Sequence, residues 1–145
     1  FADYLGGKYI MSKYSDKAIA LRNDPNVHYN CAQSVVMTFA EDAGLTDEQA
    51  FNVAANFGSG MKMASVCGAM TGGLMVLGLF GLNSPDIMNA YYGALKKNHS
   101  SFMCADLLRI NKEAGGEKKP HCDRMVYECV ELVESILREK MIITD

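Results

Sequence analysis

The chain of 145 residues contains no tryptophan, only three prolines and no long apolar run. Its longest almost wholly apolar stretch, residues 73–82, is about half of the roughly 20 residues that a membrane-spanning helix needs. The chain also lacks an excess of basic residues, since 14 Lys and Arg stand against 17 Asp and Glu. Nucleic-acid-binding proteins usually carry a basic patch. We therefore expect neither a membrane span nor a nucleic-acid partner.

The overall composition is that of a single globular domain, with 49% apolar and 21% charged residues. We expect this domain to cover residues 13–145, and residues 1–12 to be an N-terminal extension that is weakly ordered or packed on the surface. The first residues lack the basic and then apolar pattern of a signal peptide. Five cysteines cannot all pair within one chain. A cytoplasmic location with reduced thiols is the expectation.

Helical periodicity dominates the sequence. Apolar residues recur at helical spacing from Cys122 to Leu137, and the segments after Asn30 and Ser84 begin with residues typical of helix caps. No convincing β-alternation is present, so the sequence predicts an all-α fold of about six or seven helices. Residues 73–82 are apolar on every side, which predicts a buried, glycine-rich central helix.

Four of the five cysteines lie within the first turn of a predicted helix: Cys31, Cys67, Cys104 and Cys122. Free N–H groups and the helix dipole at such positions lower a thiol pKa and favour the thiolate. They also stabilise thiolates around an iron–sulfur cluster. These residues are therefore expected to converge in one sulfur-lined pocket, against the alternative that they only pack. Cys129 lies on the apolar face within the last helix and is expected in the core.

Other side chains with possible chemistry carry weaker signals. His28, His99 and His121 each precede one of the four cysteines by one to five residues. A histidine there could bind a metal or activate a thiolate, or be an exposed loop residue. Lys62 could raise the local positive potential, or be an ordinary solvated lysine. A standard zinc site is disfavoured, because no Cys-x-x-Cys occurs and the four cysteines lie 36, 37 and 18 residues apart.

Two groups of apolar residues are expected to serve packing. The ten methionines are interpreted as core filler rather than as metal ligands, because flexible Met side chains fit gaps beside glycine-rich packing. Tyr91 and Tyr92 could line a pocket, but core packing or a dimer contact is the favoured interpretation. The apolar content is compatible with a homodimer.

The cysteine pattern resembles a known family. Residues 67–72 read Cys-Gly-Ala-Met-Thr-Gly, preceded by Tyr-Asn-Cys-Ala-Gln-Ser-Val at 29–35 and followed by Cys104 and Cys122. From about residue 13 to residue 140, this arrangement resembles the C_GCAxxG_C_C family of redox-active proteins. The resemblance implies a small redox protein in which Cys31, Cys67, Cys104 and Cys122 are the functional cysteines. Cys129 lies outside the pattern.

Several mechanisms are compatible with this resemblance. The leading hypothesis is that the four cysteines ligate an iron–sulfur cluster or another thiophilic metal for electron transfer to a redox partner protein. Gly68, Ala69 and Gly72 would then lie against the cofactor. The alternatives are a metal-free thiol/disulfide oxidoreductase, and a metal-binding accessory protein for a transporter or an oxidoreductase. The lack of Cys-x-x-Cys weighs against thioredoxin-like exchange.

Overall fold

Seven α-helices build the fold in the computed structural model, which describes residues 12–144. They are α1 (Lys13–Arg22), α2 (Cys31–Phe39), α3 (Asp47–Ala54), α4 (Gly68–Leu79), α5 (Pro85–Asn98), α6 (Cys104–Glu113) and α7 (Lys118–Glu139). Within this part of the chain there is no sheet, and the all-α prediction is confirmed. None of the described helices combines the length and apolar character that crossing a membrane requires. Most of the predicted N-terminal extension, residues 1–11, lies outside the described residues.

Local capping chemistry explains where the helices begin. Asn30 and Gln33 form a reciprocal box before α2, in which each backbone N–H donates to the other's side chain, at 2.9 and 2.8 Å. Ser84 caps α5 with Pro85 as its first residue, as expected. The sequence predicts that the last helix begins at Pro120, because proline is favoured in a first turn, but the helix begins two residues earlier, at Lys118. A proline in the first turn costs little, because its missing N–H would have no partner within the helix.

The core forms around α2 and α4, which pack against each other and against α7. Residues 32–39 of α2 are buried throughout, whereas α4 exposes its last two residues, Gly78 and Leu79. The apolar segment thus ends as a helix at Leu79, before residue 82, because Gly81 turns the chain with a φ of +75°. A methyl group on Gly72 would lie 3.0 Å from Cβ of Val35, so this glycine lets α4 approach α2 closely.

A strained linker connects α3 to α4. After a 3₁₀ turn at Ala55–Phe57, the backbone takes positive φ at Gly60 and at four non-glycine residues: Ser59, Met61, Lys62 and Ala64. Each such residue costs roughly 1–2 kcal/mol. The linker is held at its end, where Ser65 N–H donates to the Gly60 carbonyl at 2.8 Å. Val66 then forms an isolated antiparallel bridge with Met103, just before α6.

Candidate redox site

The four pattern cysteines occupy related positions on four different helices. Cys31 is the first residue of α2, Cys67 immediately precedes α4, and Cys104 is the first residue of α6. Cys31 and Cys67 stand at the predicted helix starts, whereas α6 begins at Cys104 itself, a few residues after the predicted cap at Ser100 or Ser101. Cys122 is the fifth residue of α7, in its second turn, because that helix begins earlier than predicted.

These four cysteines come together at one cavity. Cys31, Cys67, Cys104 and Cys122 all line a space of about 320 Å³. Cys129 does not line this cavity: it is completely buried in the core, where it interacts with the Cys67 thiol and with the Tyr91 hydroxyl. The structure therefore divides the five cysteines into four that share a cavity and one that serves packing.

Gly68 brings the Cys31 thiol against the start of α4. A methyl group on Gly68 would lie 2.5 Å from Cys31 Sγ and 2.6 Å from the Phe57 carbonyl oxygen, both too close for a side chain. The Cys31 thiol therefore fills the space that a side chain on Gly68, the first residue of α4, would occupy. Cys31 is itself the first residue of α2. Two helix N-termini, each with unpaired N–H groups, lie beside this one sulfur atom.

The isolated bridge between Val66 and Met103 positions Cys67 and Cys104. Cys67 N–H donates to the Phe102 carbonyl at 2.8 Å, and Cys104 N–H donates to the Ser65 carbonyl at 2.6 Å. Side chains alternate along extended segments, so the residues flanking an antiparallel pair point to the same side. Cys67 and Cys104 are thus diagonal neighbours facing one side of the bridge, and both line the cavity.

Burial controls the protonation of the Cys67 thiol. Removal from water raises its pKa to about 12, although the backbone amides of Met70 and Ala69 act in the opposite direction. The expectation that the helix start lowers this pKa is wrong. Desolvation of a nearly enclosed sulfur outweighs the favourable field of the helix N-terminus.

At two other cysteines, too, burial raises the thiol pKa more than nearby positive charges lower it. Burial and then the nearby Cys31 thiol raise the pKa of Cys104, while Lys118 lowers it in part. Burial and then Cys31 also raise the pKa of Cys122, against the effect of Arg22. At neutral pH these two thiols and Cys67 are therefore protonated in the absence of a bound group.

A basic wall borders the cavity. Arg22 Nε lies 2.7 Å from Asp123 Oδ1, and its Nη1 donates to the Tyr29 carbonyl at 2.8 Å. Lys119 reaches the same carboxylate at 2.9 Å, and Lys118 also lines the cavity. No sequence pattern indicated these residues, because Arg22 and Asp123 belong to α1 and α7 and meet only in the folded chain.

The three histidines have different surroundings. His28 is exposed at the rim of the cavity. His121 is half-buried and also lines the cavity; burial, and then the charge of Arg124, lowers its pKa. His99 lies 2.8 Å from a carboxylate oxygen of Glu128, outside the cavity lining. Of the three, His121 is the best placed to exchange a proton with the site.

The remaining candidate residues lie in three different places: the cavity lining, the core and the surface. Gly68 lines the cavity, whereas Gly72 faces α2 and Ala69 is fully buried. Lys62 is exposed on the strained linker. Tyr91 is a core residue whose hydroxyl donates to the Met70 carbonyl at 2.7 Å.

The prediction that the methionines fill the core is wrong for four of them: Met61, Met63, Met103 and Met141 are exposed. Two lie on the strained linker and one at the isolated bridge, and Met141 follows α7. Their positions are set by backbone geometry, which the hydropathy of the sequence does not reveal.

In residues 12–144, no group of three or more His, Cys, Asp or Glu side chains is arranged to hold a metal ion.

Comparisons with known proteins address the cysteine pattern directly. No curated protein and no solved structure shows significant similarity to the chain. The family model described as "Putative redox-active protein (C_GCAxxG_C_C)" matches residues 29–136, a range that contains all four cavity cysteines. The chain therefore belongs to the C_GCAxxG_C_C family of redox-active proteins.

Proposed function

We propose that this protein is an electron carrier in which Cys31, Cys67, Cys104 and Cys122 hold an iron–sulfur cluster. The observation that supports the proposal is that these four cysteines all line one cavity of about 320 Å³. Because no three of them are arranged to hold a metal ion in the described structure, binding of a cluster would have to draw their sulfur atoms together. Thiolates are the usual protein ligands of iron–sulfur clusters, and four are the usual number. When bound, such a cluster would accept and release one electron at a time.

The surroundings of the cavity suit a group of negative charge. Arg22, Lys118 and Lys119 supply positive charge from the wall, and the N-termini of α2, α4 and α6 supply N–H groups. Hydrogen bonds and charge around the sulfur atoms set the reduction potential of a cluster. Because burial raises three of the thiol pKa values, binding must displace protons from those cysteines. The half-buried His121 could accept one of these protons.

A thiol/disulfide oxidoreductase is the second candidate. Its supporting observation is that Cys67 and Cys104 face the same side of one bridge, with Cys31 against the start of α4. In this reaction two thiols form one disulfide and transfer two electrons to an oxidised partner, with release of two protons.

A third candidate is a metal-binding accessory protein that uses the same four cysteines. In each case we propose a reducing compartment, the cytoplasm, because five cysteines cannot all pair within one chain and each candidate needs free thiols.

Anaerobic purification with iron and sulfide analysis and an absorption spectrum tests the leading proposal. We expect a coloured protein that contains iron and acid-labile sulfide. Cys67→Ala should lose most of the iron, whereas Cys129→Ala, which removes another buried sulfur that does not line the cavity, should retain it. A colourless protein without iron, or equal loss of iron in both variants, would refute the assignment.

The same preparations distinguish the second candidate. If the protein lacks metal and its free thiol count falls by two or four on mild oxidation, the disulfide mechanism replaces the cluster. An unchanged thiol count would exclude that mechanism. Bound zinc or another thiophilic metal without sulfide would instead support the accessory role.

A further inference from the structure

The mouth of the cysteine cavity is formed by those lining residues that are exposed to solvent: His28, Ser59, Lys118 and Lys119. Two of these four are lysines, and no carboxylate lines the cavity in the described part of the chain. The chain as a whole has the opposite balance, since 17 Asp and Glu stand against 14 Lys and Arg. The mouth is therefore a positively charged patch on a protein of negative net charge.

Part of this positive charge is balanced within the protein. Arg22 is buried, with its Nε 2.7 Å from Asp123 Oδ1, so its charge acts on the inside of the cavity. Lys119 Nζ lies 2.9 Å from the other oxygen of the same carboxylate. One carboxylate thus faces two cations, and the group of three side chains keeps a net positive charge.

Lys118 is the cation that is most available to an approaching molecule. It is exposed and forms no ion pair with any described residue, and the neighbouring Glu117 does not line the cavity. Its charge acts to lower the pKa of both Cys104 and Cys122, so its ammonium group lies near both thiols. Lys118 is also the first residue of α7, where the helix dipole adds to the positive potential.

An electron carrier meets its partner where its redox group approaches the surface. Three of the four cavity cysteines are half-buried, so the mouth is the side on which their sulfur atoms approach solvent. We propose that the redox partner docks on this mouth with an acidic surface, whose carboxylates contact Lys118. Complementary charges steer two proteins into a productive orientation and suit the small, transient interfaces of electron transfer. This inference rests on the proposed redox function, but it holds for a cluster and for a dithiol alike.

Cytochrome c in two forms tests the charge of the partner. The native form has a basic surface, and succinylation of its lysines gives the same haem protein an acidic one. The full chain, purified and reduced without oxygen, is mixed with each oxidised form, and haem reduction is followed by absorbance. One electron from a cluster reduces one haem iron from Fe(III) to Fe(II). Two thiols instead reduce two haems, form one disulfide and release two protons.

Salt dependence identifies the contribution of charge to these rates. At about 0.01 M salt we expect the acidic form to be reduced faster than the native form. This advantage should vanish near 1 M salt, where the screening length falls to about 3 Å. The net charge of the chain predicts the opposite order, because an acidic protein as a whole attracts the basic cytochrome.

Lys118→Glu is the decisive variant, with Lys97→Glu as its matched control. Each reverses the charge of one exposed lysine, and Lys97 lies in the last turn of α5, outside the cavity lining. A glutamate in the first turn of a helix is favourable, so Lys118→Glu should keep the circular dichroism of the parent. At about 0.01 M salt it should slow reduction of the acidic form by at least about fivefold, whereas Lys97→Glu should change it by less than about twofold.

Binding of the two cytochrome forms, measured by isothermal titration calorimetry, gives the same comparison without electron transfer. Tighter binding of the acidic form without haem reduction would support the docking surface and count against the electron-carrier function. The proposal is wrong if the native form reacts faster and binds more tightly, or if Lys118→Glu behaves like the parent. Saturable inhibition by inorganic phosphate at constant ionic strength would also overturn it, because the lysines would then hold a small anion inside the cavity.

Discussion

Replacing Gly68 by alanine should have two effects: it should displace the Cys31 thiol at the cavity and lower the free energy of unfolding. The new methyl group would meet Cys31 Sγ at 2.5 Å and the Phe57 carbonyl at 2.6 Å, against an ordinary contact of about 3.5–4.0 Å. The carbonyl belongs to the backbone and cannot rotate away, so overpacking should cost about 1–3 kcal/mol. Gly68 is the first residue of α4, so alanine there regains only about half of the roughly 1 kcal/mol that it gains in a helix interior. The expected net loss is therefore about 0.5–2.5 kcal/mol in the free energy of unfolding.

Gly78→Ala is the matched control on the same helix. A methyl group there would meet nothing within 4 Å, so this variant should gain about 0.5–1 kcal/mol. In thermal unfolding followed by circular dichroism, the two variants should differ by roughly 4–12 °C in Tm. Gly68→Ala should also change the alkylation rate of Cys31, measured by mass spectrometry. Equal Tm values for both variants, with unchanged Cys31 reactivity, would refute the proposed contact between this thiol and α4.

Three further substitutions test the described contacts. Tyr91→Phe removes a buried hydrogen bond of 2.7 Å and should cost about 1–1.5 kcal/mol in urea unfolding, while Tyr92→Phe, whose ring packs by stacking, serves as the control. Arg22→Met removes the closest cation of Asp123, which keeps Lys119, and leaves the Tyr29 carbonyl without its donor; it should cost about 1–3 kcal/mol. An unchanged free energy of unfolding would contradict the described pair. Burial, and then a neighbouring carboxylate, raises the pKa of Glu131 to about 7. Because the folded state then binds the extra proton, stability should fall as pH rises from about 4.5 to above 7. Glu131→Gln should flatten this slope and gain about 1–3 kcal/mol at pH 8, and an unchanged slope would show that the group titrates normally.

Local sequence signals were sufficient to place Cys31, Cys67 and Cys104 at or next to the start of a helix. The box formed by Asn30 and Gln33 fixes the start of α2, and therefore the position of Cys31, through contacts within four residues. The glycine motif after Cys67 likewise predicts the start of α4. Capping depends on neighbours along the chain, so a single sequence contains the information needed. The start of α7 was placed too late because Pro120 is tolerated at the third helical residue as well as at the first.

Properties that depend on distant segments could not be predicted in the same way. The thiol pKa of Cys67 depends on how completely other helices cover it, and this coverage reverses the direction expected from the helix start alone. The pair of Arg22 with Asp123 joins the first and last helices. The positive φ values of Met61 and Lys62 occur at residue types that seldom adopt them, so no composition rule would have indicated that turn.

The four cavity cysteines are distributed over α2, α4, α6 and α7, so a group bound by all four would couple its binding to folding. The cavity lining is complete only when α7, which carries Cys122, has packed against the helices that carry the other three cysteines. A group that binds only the assembled cavity stabilises the native state by mass action, by about 2.7 kcal/mol when its concentration is 100 times Kd. If the proposed group binds there, its loading requires that these four helices have assembled, and its removal should destabilise all four together.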